Sequence, residues 1–446
     1  MKKPLIIAGL LSVGAIFVQT SEAQTVLNNL TFGQETIDLE NVPPDKNWSI
    51  DASVKGFYDD NINTTPSGVA GKQESWGMEI MPVGVVGINT GQLEAAIGYG
   101  YNMKYYENRS NSADHRHLAG AMVAYELSPR ARVEVMNFFV IGQESEVLDP
   151  SGTFTTRSNG DNMRNLAGIG GFYEMTRMLA LDVAYANYLI DYDDDGTVGS
   201  RSALLDRMEH RASAELHWQP TESTTGLVGY RFTVTDQTAD DAIVGTLSSD
   251  SRDSRSHSAY VGAQHRFSAR LNVSLRAGVQ FVEYPNIVSA VAAASPAAPT
   301  PDSDIISPYA TANLTYRLGE AGAVSLGASH DRSPTDLFAL DVNSAPTRDA
   351  GRTRIFSSLS YDFTERIIGR VNGEFHNVHY NGGAGDDTTD LVFLGGAGLE
   401  YIIIKNHSVF NEVSLEANYA YDRLDSDTAF RGFTRHRVYM GINAAF

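Results

Sequence analysis

From about Trp48 to Phe446, apolar and polar residues alternate with a period of two. Leu93, Ala95, Ile97, Tyr99, Tyr101, Met103 and Tyr105 form one set, and Glu94, Ala96, Gly98, Gly100, Asn102 and Lys104 fall between them. The same two-faced pattern returns in Met208 to Trp218, Leu271 to Phe281 and Arg435 to Phe446. In an extended chain the two sets point to opposite faces. Runs of about ten to fourteen residues exceed an ordinary soluble strand and suit tilted strands that cross a bilayer. Connections alternate as well. Tight turns such as Asn89-Thr90-Gly91, Ser128-Pro129-Arg130 and Thr364-Glu365 are interleaved with long polar stretches such as 59–73, 143–163, 236–253, 285–304 and 332–352. The pattern predicts an all-β fold: one antiparallel transmembrane β-barrel of about 18 strands (16–20), with short periplasmic turns and long outer loops. The Ala- and Pro-rich part of 285–304 reads as a flexible outer loop, and it and 143–163 are long enough to fold inward and narrow a pore.

The ends divide the chain into three parts. Lys2 and Lys3, the apolar run to Val18 and Ser21-Glu22-Ala23 read as a Sec-type signal peptide over 1–23, cleaved near Ala23. Residues 24–47, with Pro43-Pro44 and no clean alternation, read as a periplasmic N-terminal leader, and 48–446 as the barrel. The terminal Phe446, on the apolar face of its strand, resembles the assembly signal that barrel-assembly machinery reads in the last strand. The expected location is the cell outer membrane, with lipid and lipopolysaccharide as surroundings. Composition narrows the partners. With no Cys there is neither a lipidation site nor a disulfide framework. With 34 Lys+Arg against 54 Asp+Glu the formal charge is −20, which argues against nucleic acid. The acid collects between the alternating segments, in the loops.

After the first strand the chain reads Gly56-Phe57-Tyr58-Asp59-Asp60-Asn61-Ile62, and the next strand carries Met78-Glu79-Ile80-Met81-Pro82. Tyr58, Asp59, Asn61, Ile62 and Pro82 resemble the motif of the second family of outer-membrane β-barrel porins, several of which are associated with exopolysaccharide secretion. Asn63 departs from the bulky apolar residue common at that place. The resemblance implies a barrel and contact with polysaccharide or with export-system proteins. Read from the residues alone, Tyr58 suits the aromatic girdle, and Asp59 and Asn61 suit a turn closed by side-chain bonds to backbone amides.

Polar residues on the inner face of so wide a barrel line an aqueous lumen. The candidates are Arg207, Arg211, Arg266, Arg276, Arg317, Arg354, Arg370, Arg435 and Arg437, with Glu209, Glu215, Glu374, Glu412 and Glu416. They can orient polar solutes or pair across strands and stiffen the wall. Asp191, Asp193 and Asp195 open like a calcium loop, but Ser202 stands where the closing Glu is needed, and a solvated acidic loop is the other reading. No other cofactor is expected. No histidine sits in a recognisable catalytic motif, so no enzyme is expected. The function read from sequence is a conduit for hydrophilic material, exopolysaccharide or small solutes. The alternative is a structural or adhesive barrel acting through its acidic outer loops.

Overall fold

The computed structural model describes residues 37–39, 42, 46–109, 112–142, 161–194, 196–335, 337–343 and 345–446. The 1–23 signal segment, most of the 24–47 leader, Asp195 and the 143–160 stretch lie outside them.

Alternation becomes a closed wall. The strands are β1 (Trp48–Asp59), β2 (Ser75–Asn89), β3 (Leu93–Tyr106), β4 (Ala113–Ser128), β5 (Ala131–Gly142), β6 (Asn162–Glu174), β7 (Leu179–Tyr192), β8 (Arg207–Thr221) and β9 (Thr224–Gln237). A small loop hairpin follows, β10 (Ala242–Val244) and β11 (Leu247–Ser248). The wall resumes with β12 (Ser254–Arg266), β13 (Leu271–Glu283), β14 (Asp304–Arg317), β15 (Gly322–Ser333), β16 (Asp349–Thr364), β17 (Ile367–Asn381), β18 (Thr389–Lys405), β19 (Glu412–Ser426) and β20 (Phe433–Ala445). Every pairing is antiparallel. β9 joins β12 past the hairpin, and β20 pairs with β1, which closes an 18-stranded barrel with no free edge. Short connections gather at one end and long ones at the other, hereafter the turn end and the loop end.

The outer face is apolar around the circuit. Ile97, Val123, Ile169, Val228, Val261, Leu275, Leu326, Ile355, Leu399 and Met440 stand exposed on it. Aromatic residues flank this belt: Trp48, Tyr173, Trp218, Phe267 and Phe363 toward the turn end, Trp76 and Tyr105 toward the loop end. Such a surface would be insoluble as a water-facing wall and is what lipid contact requires. No helix among the described residues is long and apolar enough to cross a membrane.

The inner face has two unlike halves. From β2 to β7 it is largely apolar, with Val85, Leu118, Val140, Leu166, Ala186, Tyr188 and Ile190 buried in one cluster. Ile37 and Leu39 belong to that cluster, and Val42 packs against it. These residues of the 24–47 segment therefore run inside the barrel along this wall, where the sequence reading had a leader below it. Gly98 explains the fit: a Cβ there would stand 2.9 Å from both Ile37 Cγ2 and Leu39 Cδ2. The segment occupies a groove that the missing side chain leaves.

The loops are built, not slack. The segment expected as a flexible loop, 285–304, carries the helix Ile287–Ala294. Its Ile287 and Val291, one turn apart, are buried against Val282 and Tyr284. Ala-rich sequence with two apolar residues at that spacing forms a helix once a wall is there to pack on. Leu337, from the loop between β15 and β16, packs over Val378, Val392, Leu424 and Phe433. Arg252, 3 % exposed, donates to the carbonyls of Ala203, Leu204 and Thr335. One guanidinium thus ties three loops together at the loop end.

Candidate functional site

The rest of the inner face, from β8 round to β1, is largely polar, and its β8–β16 part encloses a cavity of about 160 Å3 that runs from the loop end toward mid-barrel. Strand parity positions its lining. On β8 the odd residues point inward, so Arg207, Glu209, Arg211, Glu215 and His217 form one row. Glu209 is fully buried and bonds Arg207 Nε (2.9 Å) and Arg211 (2.8 Å). Glu215 receives a two-pronged bond from Arg276, Nε at 2.8 Å and a terminal nitrogen at 3.0 Å, although β9 and β12 lie between them. The reach is possible because Gly262 faces Arg276 in register, and a Cβ there would meet Arg276 Cγ at 2.9 Å. Such bidentate carboxylate–guanidinium pairs are the strong ones.

The remaining sequence candidates divide by depth. Arg354 bonds Glu374 at 2.6 Å and 3.2 Å, and Arg370 pairs with Glu400 at 2.8 Å. Arg437 pairs with Asp422 at 2.7 Å, and Glu416 with Lys55 at 2.5 Å. Arg266 and Arg317 are exposed at the turn end, and Glu412 is half-buried there. Only Glu209, Arg211, Arg276 and Arg354 of the fourteen line the cavity. Arg231, Arg252, Arg332, Arg348 and Arg352 line it too and were not singled out from sequence. Arg231 and Arg352 follow the same parity as their strand neighbours, so extending the alternation to β9 and the start of β16 would have found them. Arg252 and Arg348 lie on loops and only the folded chain brings them in. Arg231 lies over the ring of Tyr309 at 5.0 Å and donates to its hydroxyl. Arg332 forms a bidentate pair with Asp349.

The motif near the first strand serves a different place. Asp59 is 1 % exposed, accepts from Arg435 Nε at 3.0 Å, and accepts from the backbone N–H of Asn61 at 3.0 Å. Arg435, counted above as a lumen candidate, is thereby fixed at the join between the first and last strands. The Asn61 side chain donates to the carbonyls of Thr65 and Thr434, both at 3.1 Å. Ile62 is fully buried beside Phe57 and Tyr106. Tyr58 packs tilted against Trp76, ring centroids 5.0 Å apart, and its hydroxyl donates to Glu74 at 2.6 Å. Pro82 is exposed on the outer face of β2, in register with Ala52. These residues latch β1 to β20 and fold the first loop. Phe446 donates its N–H to the Ile50 carbonyl at 2.9 Å and its ring meets Phe410 at 4.9 Å.

Asp191 and Asp193 are exposed where β7 ends. No group of three or more His, Cys, Asp or Glu is placed to hold a metal ion among the described residues. On the adjoining loop, burial pushes the Asp206 carboxyl up to about 7, with the charge of Asp191 adding to it, against the Tyr192 N–H bond that Asp206 accepts at 2.8 Å. Burial likewise pushes Asp253 up to about 6.

A closed antiparallel barrel with an apolar belt outside and a charged wall inside defines a bilayer-spanning β-barrel. No protein-family model matches the chain, and no curated protein sequence matches it. Solved structures of similar chain course include Pseudomonas aeruginosa OccK2 (OpdF), at 12% identity and a TM-score of 0.46, covering 90% of this chain and 98% of that one. The Pseudomonas aeruginosa outer membrane protein OpdK aligns at 12% identity with a TM-score of 0.45, covering 90% and 99%. Acinetobacter baumannii OccAB3 aligns at 11% with a TM-score of 0.42, covering 90% and 99%. At these identities the likeness extends to barrel shape and no further.

Proposed function

We propose that this chain is an outer-membrane channel for small hydrophilic solutes, without catalysis, whose passage runs along the polar half of the lumen. The observation that supports it is the division of the inner face. Ile37, Leu39 and Val42 cover part of the apolar half, whereas the β8–β16 half bounds a polar cavity continuous with the loop end. The loop end then faces outward and the turn end faces the periplasm, in keeping with long outer loops. Lipid and lipopolysaccharide surround the belt, and the assembly machinery reads the strand that ends in Phe446.

Exopolysaccharide passage rests on the motif alone. Asp59, Asn61 and Ile62 are committed to the seam and the first loop, so they offer a polymer no contact, and a lumen shared with 37–42 favours small solutes. The test is single-channel recording of the refolded barrel in a planar bilayer. Steady ohmic steps support the channel. A folded barrel that conducts nothing overturns it and favours a surface role through the acidic loops. Block by polysaccharide but not by small solutes would restore the polymer reading.

A further inference from the structure

We infer that the cavity on the β8–β16 wall is a binding site for small hydroxylated anions, that is, sugar-like or polyol solutes bearing a carboxylate or a phosphate. The inference rests on the channel reading and gives it a substrate class.

Charge is the first argument. The lining holds eight arginines and three carboxylates, Glu209, Asp331 and Asp349. Counting in Glu215 and Glu374, which pair with Arg276 and Arg354, still leaves an excess of positive charge. The whole chain carries −20. A basic interior inside an acidic protein is a local arrangement, not a reflection of composition. Arg352 stands 3.8 Å from Asp331 and Arg231 donates to the Tyr309 hydroxyl, and both guanidiniums line the cavity.

Geometry is the second argument. A guanidinium presents parallel N–H groups that match the two oxygens of a carboxylate or phosphate. Around the arginines stand Thr233, Ser256, Ser258 and Thr311, whose hydroxyls both donate and accept and so suit a polyol. Ser256 already accepts from the Gln280 amide at 2.8 Å, which orients that wall. The apolar half of the lumen, with Ile37 and Leu39 on it, lowers the local dielectric and lets the arginine field act over a longer range. A cation is repelled here, and a neutral sugar has no use for the charge excess.

Two measurements test this. Equilibrium dialysis of the refolded barrel against gluconate, glucose 1-phosphate and glucose reads the site directly. Retention of either anion with release of glucose is the expected result, and which anion is held identifies the charged group. In the double variant Arg231→Gln/Arg352→Gln, checked for folding by heat-shifted migration, retention should weaken by about tenfold, the scale of one lost charge-assisted bond. The second measurement is the reversal potential in a KCl gradient, which should report chloride preference that falls toward none in the same variant. Release of both anions, or unchanged retention in the variant, overturns the inference. A barrel that conducts without chloride preference and retains neither anion keeps the channel and loses the site. One that retains gluconate without conducting keeps the site and loses the channel.

Discussion

An imidazole turned toward lipid needs a partner, and this barrel supplies one repeatedly. Tyr99 and His117, Tyr101 and His115, Tyr185 and His210, Tyr230 and His257, and Tyr419 and His436 are hydrogen-bonded, hydroxyl to Nδ1, at 2.6–2.7 Å. Each pair is diagonal across neighbouring strands, with the histidine toward the loop end of its strand and the tyrosine nearer mid-strand. Tyr230, for example, faces Ala259 in register, while His257 faces Phe232. The bond hides two polar groups from the bilayer in one contact. Tyr230→Phe leaves His257 with one group unmet, so urea unfolding of the refolded barrel should show a loss of roughly 1–2 kcal/mol. A variant as stable as the parent would mean that water or headgroups satisfy the ring. Strand parity puts these histidines on the outer face, but a diagonal bond needs the register, which sequence does not carry.

At the scale of elements, period two made the strands legible because each buries one face in lipid and the other in the lumen. The outer loops were not legible in the same way. Their order comes from contacts distant in sequence, such as Arg252 with Thr335 and Asn286 with Asp253. Nor did Ile37, Leu39 and Val42 announce themselves, since they belong to no strand of the wall they lie on. Loop order carries a pH dependence. The Asp206 carboxyl titrates near 7 in the fold against an ordinary 3.8, so the folded loop favours the neutral acid. Its contribution is full below about pH 4 and is lost as pH rises through about 7. Limited proteolysis between β7 and β8 should therefore be several-fold faster at pH 8 than at pH 5. Asp206→Asn, neutral at both values, should remove the difference. Equal cleavage of the parent at both pH values would refute the assignment.

For the whole molecule, the decisive asymmetry is between an apolar part of the lumen wall covered by Ile37, Leu39 and Val42 and a polar part that bounds an open cavity. Burial of a leucine contributes about 2 kcal/mol, so Leu39→Asp removes that and adds the cost of a carboxylate on an apolar wall. The segment should leave the groove, and unit conductance should rise. Gly98→Val, which puts a side chain where Ile37 and Leu39 lie, should act in the same direction by a different route. If both variants conduct like the parent, 37–42 does not narrow the path. The anion preference should survive in both, because the arginine wall is untouched.

The seam has a consequence in time. Ile37 and Leu39 lie against Gly98 of β3, and Leu39 against Gly120 of β4, which follow them closely in the chain, so that contact can form while the sheet is still open. Arg435 and Asp59 are separated by 376 positions, and Lys55 and Glu416 sit on either side of the same join. Neither pair can exist until the last strand has been made and has found the first. Until then two strand edges stay open to any other chain. The ion pairs at the seam therefore mark completion: the barrel that carries them is finished, with Ile37 and Leu39 already inside.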